Sequence, residues 1–169
     1  MTFDLRELAA SAPVDISSSQ DWREPARSAV REYAVSIPDG WIGTAGAALP
    51  PGTTVRLRLQ GARADAPLVG VLGGISANRC VADDDHSRGW WRALVSPGGA
   101  VDLDAVQCAS IDFVARDDAP IALTPRDQAW FFARALDEAG IERLDGFIGA
   151  SFGGMVALAF AAQFPERVG

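Results

Sequence analysis

The sequence has few of the residues that build metal sites, disulfide frameworks or polyanion-binding surfaces. Its 169 residues include one histidine, His86, and two isolated cysteines, Cys80 and Cys108, so neither a metal site nor a disulfide framework is predicted. The net charge of −7 argues against nucleic acid or an anionic membrane as a partner. No apolar stretch reaches membrane-spanning length, and the first residues do not resemble a signal peptide. These absences predict a soluble, cytoplasmic protein.

The chain divides into two regions of different character. Residues 1–45 are polar and mixed, and we expect a poorly defined N-terminal arm with a short helix at 5–10. Residues 46–169 carry the regular hydrophobic patterns of one partial domain, and nearly half of all residues are apolar, which suffices for a substantial core.

Four segments have the patterns of β-strands. Residues 53–60 alternate apolar and polar side chains, which is typical of a half-buried strand. Residues 68–72 form a short apolar run between turn residues, as in a central strand that is buried on both faces. Residues 105–113 and 144–148 are predicted as the next two strands.

Three segments are predicted to be helical: 89–95, 125–139 and 153–163. The second has the clearest signals, with Thr124 as N-cap, proline in the first turn and Asp127 completing a capping box. Strands that alternate with helices indicate a largely parallel sheet with right-handed crossovers, an α/β fold.

Residues 149–153 read G-A-S-F-G, the G-x-S-x-G pattern of a nucleophile elbow centred on Ser151. An apolar strand enters the motif and an apolar helix leaves it, so the turn would lift the serine oxygen clear of the backbone. The N–H of Phe152 would then be free to stabilise an oxyanion. The alternative is a glycine-rich strand–helix turn with an idle serine.

The loop at residues 73–76, G-G-I-S, is the candidate source of a second oxyanion donor. It follows strand 68–72, and ligands of parallel sheets bind at the carboxyl ends of the strands, so this loop and Ser151 are expected in one crevice. The alternative is a simple strand-ending turn.

Several segments together resemble the homoserine O-acyltransferase family of the α/β-hydrolase fold. The resemblance covers roughly residues 67–169, and the segments that carry it are VLGGISANRC (71–80), GWWRALVSPGGAVD (89–102), PRDQ (125–128) and GASFGGMVALAFAAQFPERV (149–168).

This resemblance implies a ping-pong acyl transfer in methionine biosynthesis. Ser151 would attack the thioester of acetyl-CoA or succinyl-CoA, which serves as a co-substrate; no bound cofactor and no metal is implied. The acyl group would pass to the hydroxyl of homoserine or serine, with the N–H groups of Ile75 and Phe152 as the oxyanion hole. Homo-oligomers are left open.

The base of the expected catalytic triad is missing from this stretch of sequence. In α/β-hydrolases the acid and the histidine follow the serine along the chain, but residues 152–169 contain one acid, Glu166, and no histidine. His86 follows the acidic run 83–85, which is typical of a solvated surface loop rather than of a catalytic base or a cation site.

We therefore expect a fragment of an acyltransferase that is inactive or nearly so by itself. Strand 144–148 would be an exposed apolar edge, which predicts poor solubility or self-association. Two alternatives stay open: a serine esterase or thioesterase that uses water as acceptor, and a non-catalytic remnant or interaction module.

Overall fold

The computed structural model describes residues 29–61, 64–115 and 123–169, so the helix predicted at 5–10 lies outside the described residues. The described part contains seven strands, two α-helices and a 3₁₀ turn at Pro165–Arg167. The strands are β1 (Ala29–Ser36), β2 (Thr54–Gly61), β3 (Leu68–Leu72), β4 (Val95–Ser96), β5 (Val101–Asp102), β6 (Gln107–Ile111) and β7 (Gly146–Gly149), and the helices are α1 (Pro125–Glu138) and α2 (Phe152–Gln163).

Five strands form one sheet in the order β1-β2-β6-β3-β7. β2 is antiparallel to both of its neighbours, whereas β6, β3 and β7 are parallel to one another. Four of the five strands therefore run in the same direction, which confirms the prediction of a largely parallel sheet. β4 and β5 form a separate parallel pair.

The sheet is covered on both faces by apolar side chains. Successive side chains of a strand point to opposite faces of the sheet, so Ala109 and Ile111 of β6 lie on one side and Cys108 lies on the other. The first side packs against α1 and α2 through Phe131, Phe132 and Phe160 among others. The second side carries a smaller cluster: Val71, Val81, Ala82, Val95, Leu103 and Cys108.

Helix α1 begins where the sequence predicts. The Thr124 hydroxyl accepts a hydrogen bond from the Asp127 N–H, and the Asp127 carboxylate accepts one from the Thr124 N–H at 2.7 Å. This reciprocal pair satisfies two N–H groups that the first turn would otherwise leave without partners. The C-terminal end comes at Glu138, one residue before the predicted end.

Two sequence-based expectations differ from the structure. The helix predicted at 89–95 is wrong: residues 90–94 form turns that lead into β4. The Trp90 and Trp91 N–H groups bond to the carbonyls of Cys80 and Val81, so the segment is tied to the preceding loop. The seven residues are also too few to hold an isolated helix.

The second difference concerns residues 1–45, which were predicted to be a poorly defined arm but contain β1. This strand is exposed along most of its length, and Tyr33 and Val35 are the two of its alternate residues that pack against the core, so its period of two is too short to indicate a strand. It forms because all eight of its residues pair with β2.

Candidate active site

Ser151 stands at a sharp turn between β7 and α2. Its backbone has φ 54° and ψ −122°, and in the described ranges it is the one non-glycine residue with positive φ. Its side chain is exposed and makes no capping hydrogen bond to the helix that follows. Such strained conformations are costly and are found mainly at functional sites. The turn therefore has the geometry that the G-x-S-x-G pattern predicts.

Two glycines allow the elbow to pack against its surroundings. A Cβ on Gly153 would collide with the Leu72 carbonyl oxygen, and one on Gly149 would lie 2.5 Å from the Gly153 oxygen. Both positions therefore exclude any side chain, which is why the motif has glycine two residues before and two residues after Ser151.

The elbow is hydrogen-bonded directly to the end of β3. The Gly153 N–H donates to the Gly73 carbonyl at 2.7 Å, and the Ala150 N–H donates to the Leu72 carbonyl at 3.0 Å. The loop after β3 and the nucleophile turn are thus one continuous hydrogen-bonded unit. The loop and Ser151 therefore meet at the carboxyl ends of β3 and β7, as the sequence predicts.

The two N–H groups that the sequence nominated as oxyanion donors lie in this unit. Ile75 sits in a turn that the Ala77 N–H closes by donating to the Gly74 carbonyl at 2.8 Å, and 68% of its surface is exposed. Phe152 is the first residue of α2. Among the described residues, neither the Ile75 N–H nor the Phe152 N–H has a hydrogen-bond partner. Both are therefore available to an external oxygen.

Asp112 and Phe113, immediately after β6, contact both halves of the unit. The Asp112 carboxylate accepts hydrogen bonds from the backbone N–H and the guanidinium of Arg79, at 2.9 and 2.7 Å. Phe113 packs edge-on against Phe152, with ring centroids 5.0 Å apart. Asp112 lies near the end of the strand predicted at 105–113, but no local pattern indicates its pairing with Arg79, because the two residues are 33 positions apart.

His86 lies elsewhere, beside a cavity of about 610 Å³ whose lining includes Glu32, Arg58 and Asp84 but no residue of the elbow. The structure therefore does not bring His86 and Ser151 into one site.

The acidic run 83–85 is only in part the solvated loop that was predicted. The side chain of Asp84 is mostly buried. It pairs with the guanidinium of Arg58 and accepts hydrogen bonds from the N–H groups of His86 and Ser87. Burial raises the pKa of Asp84, but these hydrogen bonds outweigh it and leave the pKa below its usual value. The carboxylate thus balances a buried cation, Arg58.

The histidine, cysteine and acidic side chains of the described residues do not form a metal centre. Nowhere in 29–61, 64–115 and 123–169 do three or more histidine, cysteine or acidic side chains group as metal ligands. Cys80 and Cys108 are both free thiols, and burial raises the pKa of Cys108 to about 12. No helix in the same ranges is long and apolar enough to cross a membrane.

Comparison with known proteins identifies the fold. The model of the α/β hydrolase fold family matches residues 106–169. The structure of esterase E22 superposes with a TM-score of 0.68 at 21% identity, covering 83% of this chain and 46% of the esterase. Homoserine O-acetyltransferase from Staphylococcus aureus gives a TM-score of 0.66 at 23% identity, covering 84% of this chain and 45% of that enzyme. The chain has the α/β-hydrolase fold.

Comparison of sequences indicates a particular family within the α/β-hydrolase fold. The chain is 41% identical over 119 residues to a homoserine O-succinyltransferase of Xanthomonas campestris, covering 68% of this chain and 31% of the relative. It is 37% identical over 105 residues to a homoserine O-acetyltransferase of Geobacter sulfurreducens (52% and 28%). It is 35% identical over 159 residues to an L-serine/homoserine O-acetyltransferase of Streptomyces lavendulae (78% and 41%).

The chain is therefore a homologue of the homoserine O-acyltransferases, as its motifs predicted. It spans less than half the length of each of these three relatives.

Proposed function

We propose that this chain carries the nucleophile part of an acyltransferase that moves an acetyl or succinyl group from acyl-CoA to the hydroxyl of homoserine. The observation that supports this most strongly is the strained Ser151 turn, hydrogen-bonded to the loop after β3 with two N–H groups left free. Homology to enzymes named for homoserine acylation selects the reaction from the many that this fold supports.

In the first half-reaction the Ser151 oxygen attacks the thioester carbon. The carbonyl oxygen gains negative charge, which the N–H groups of Ile75 and Phe152 stabilise because they are already oriented and carry no other hydrogen bond. The carbon–sulfur bond then breaks, the thiol of CoA leaves with the proton, and Ser151 is left as an acyl ester.

In the second half-reaction the acceptor hydroxyl attacks that ester. The carbon–oxygen bond to Ser151 breaks, the serine recovers its proton, and the O-acylated amino acid leaves. Acylation converts a hydroxyl into a better leaving group, which suits a step in methionine biosynthesis, and we propose this role in the cytoplasm.

Both half-reactions need a base for the hydroxyl proton. His86 is the one histidine of the sequence and lines the cavity beside Arg58. We propose that the chain does not supply this base itself, so the chain alone reacts slowly. Imidazole added to the solution can serve as a substitute base in experiments.

The test is the fate of a labelled acyl group. The chain is incubated with labelled acetyl-CoA or succinyl-CoA and imidazole, and the label is followed into homoserine, serine or water, with Ser151→Ala as control. The proposal predicts Ser151-dependent transfer to homoserine above transfer to water. Release mainly to water would favour the esterase alternative, and label transfer that Ser151→Ala leaves unchanged would contradict the proposal.

A further inference from the structure

Two residues just after β6 lie between the parts of the proposed oxyanion hole. β6 is next to β3 in the sheet but not to β7, so its carboxyl end is close to the loop that carries Ile75. Asp112 and Phe113 follow that end directly. Their side chains make different contacts, one to each half of the site.

Asp112 holds the loop after β3. Its own N–H donates to the Arg56 carbonyl at 3.1 Å, which fixes the residue to β2. Its carboxylate accepts from both the backbone N–H and the guanidinium of Arg79. The Ser110 hydroxyl donates to the Arg79 carbonyl at 2.6 Å. Both main-chain polar groups of Arg79 are therefore held from the end of β6, four residues beyond Ile75.

Arg79 is kept in place from its other side as well. Its guanidinium contacts the Glu32 carboxylate at 3.0 and 3.2 Å. The loop is also held one residue before Arg79, where the Trp90 indole N–H donates to the Asn78 carbonyl at 2.8 Å. The backbone between Gly74 and Arg79 is thus held at several points, while the Ile75 N–H stays free.

Phe113 contacts the other half of the proposed oxyanion hole, at the start of α2. Its ring meets the ring of Phe152 at an interplanar angle of 87°, the edge-to-face arrangement that aromatic pairs favour. Phe152 directly follows Ser151 and supplies the second proposed donor, so this contact braces the first residue of α2. A shift of either donor by about 1 Å would weaken its bond to a developing oxyanion.

We infer that Asp112 and Phe113 are positioning residues that set the spacing between the Ile75 and Phe152 donors. This inference rests on the proposed function, because it assigns those two N–H groups to the oxyanion of acyl transfer. In the described part of the chain, the hydrogen bonds of Asp112 and the ring contact of Phe113 are made to residues other than Ser151. Each acts through the backbone that it holds.

The test compares acylation of Ser151 in variants and matched controls. In Asp112→Ala and in Phe113→Ala we expect the maximal acylation rate to fall about tenfold while the KM for acyl-CoA changes less than about twofold, because only transition-state contacts are weakened. Asp112→Asn keeps an oxygen for the Arg79 N–H and should recover most of the rate. Asp137→Ala, which breaks the remote pair with Arg167, and Phe164→Ala, which removes a ring contact with Phe160, should leave the rate unchanged.

A second measurement separates this inference from the proposed function. Hydrogen exchange is followed at the Ala77 amide, whose bond to the Gly74 carbonyl closes the turn around Ile75. Asp112→Ala should accelerate this exchange at least tenfold, and Asp137→Ala should not. Acylation that depends on Ser151 but not on Asp112 or Phe113 would overturn the inference alone. Acylation that proves independent of Ser151 would overturn the proposed function. Ala77 exchange that is unchanged in Asp112→Ala would overturn the positioning role of Asp112, whatever the outcome for Ser151.

Discussion

At the scale of single residues, the local requirements of a tight turn account for what the sequence predicted about the site. Ser151 needs a backbone conformation that side chains rarely adopt, and the glycines around it leave room for that turn. These constraints act on residues that are close together in the sequence, so a short sequence motif is enough to predict the turn. The partners of Arg58 are different: Glu32 and Asp84 each lie 26 positions away, and no local pattern connects them.

The close approach at Gly153 leads to a stability prediction. Gly153→Ala should destabilise the fold by about 2 kcal/mol, because the added methyl group would collide with the Leu72 carbonyl and force the elbow away from β3. Gly146→Ala is the matched control, since a Cβ there meets no atom within 4 Å and Gly146 has no positive φ. Chemical denaturation of both variants checks this. Equal stabilities would show that the elbow does not depend on the contact.

At the scale of elements, capping and periodicity together located α1, whereas the apolar run after the G-x-S-x-G motif located α2. α1 has both, and the sequence located its start at Pro125. The segment at 89–95 has apolar spacing but no cap, and contacts with the loop before it decide its conformation. α2 is apolar on nearly every side, which is typical of a helix buried all round, yet Met155 and Leu158 are 51% and 74% exposed.

The capping box of α1 also connects it to the segment before β2. The Thr44 N–H donates to the Asp127 carboxylate at 2.8 Å, and the hydroxyls of Thr44 and Thr124 lie 2.7 Å apart. Thr124→Ala should therefore cost about 1 kcal/mol in the free energy of unfolding. Thr124→Ser keeps the hydroxyl and should be close to the parent protein. Thermal or urea unfolding measures both, and a Thr124→Ala variant as stable as the parent would contradict the role of the cap.

At the scale of the whole molecule, the order of strands could be inferred only in part. Alternation of strands and helices indicates parallel neighbours, and β6, β3 and β7 conform to it. β1 could not be predicted, because its residues are mostly exposed and its pairing partner begins 18 positions after its last residue, from Ser36 to Thr54. β7 is at one edge of the five-stranded sheet, as the expected exposed edge requires, and self-association through it stays a prediction.

Charge pairing across the sheet predicts how stability depends on pH. The hydrogen bond from Arg79 lowers the pKa of Glu32, in spite of the opposing effect of burial, and the pKa of Asp84 is lowered as well. Carboxyl groups with a lowered native pKa stabilise the fold fully above their unfolded-state pKa of about 4, and this contribution is lost as the pH falls further. Denaturation midpoints should therefore be steady near neutral pH and decline below about pH 4.

Arg58→Met tests the pairing itself. It removes a cation that is 4% exposed, so Asp84 is left largely buried without its partner, and we expect a loss of about 3 kcal/mol at pH 7 with a shallower decline in acid. Arg134→Met is the control, because its exposed pair with Glu138 should contribute no more than about 0.5 kcal/mol. A similar small loss in both variants would contradict the buried pairing.

Peptide mass spectrometry after incubation with acyl-CoA and imidazole shows whether Ser151 is the acylated nucleophile. We predict one acyl group on the peptide that contains Ser151, absent from Ser151→Ala and retained in Ser87→Ala and Cys80→Ser. An adduct on another residue, or one that persists in Ser151→Ala, would show that Ser151 is not the nucleophile.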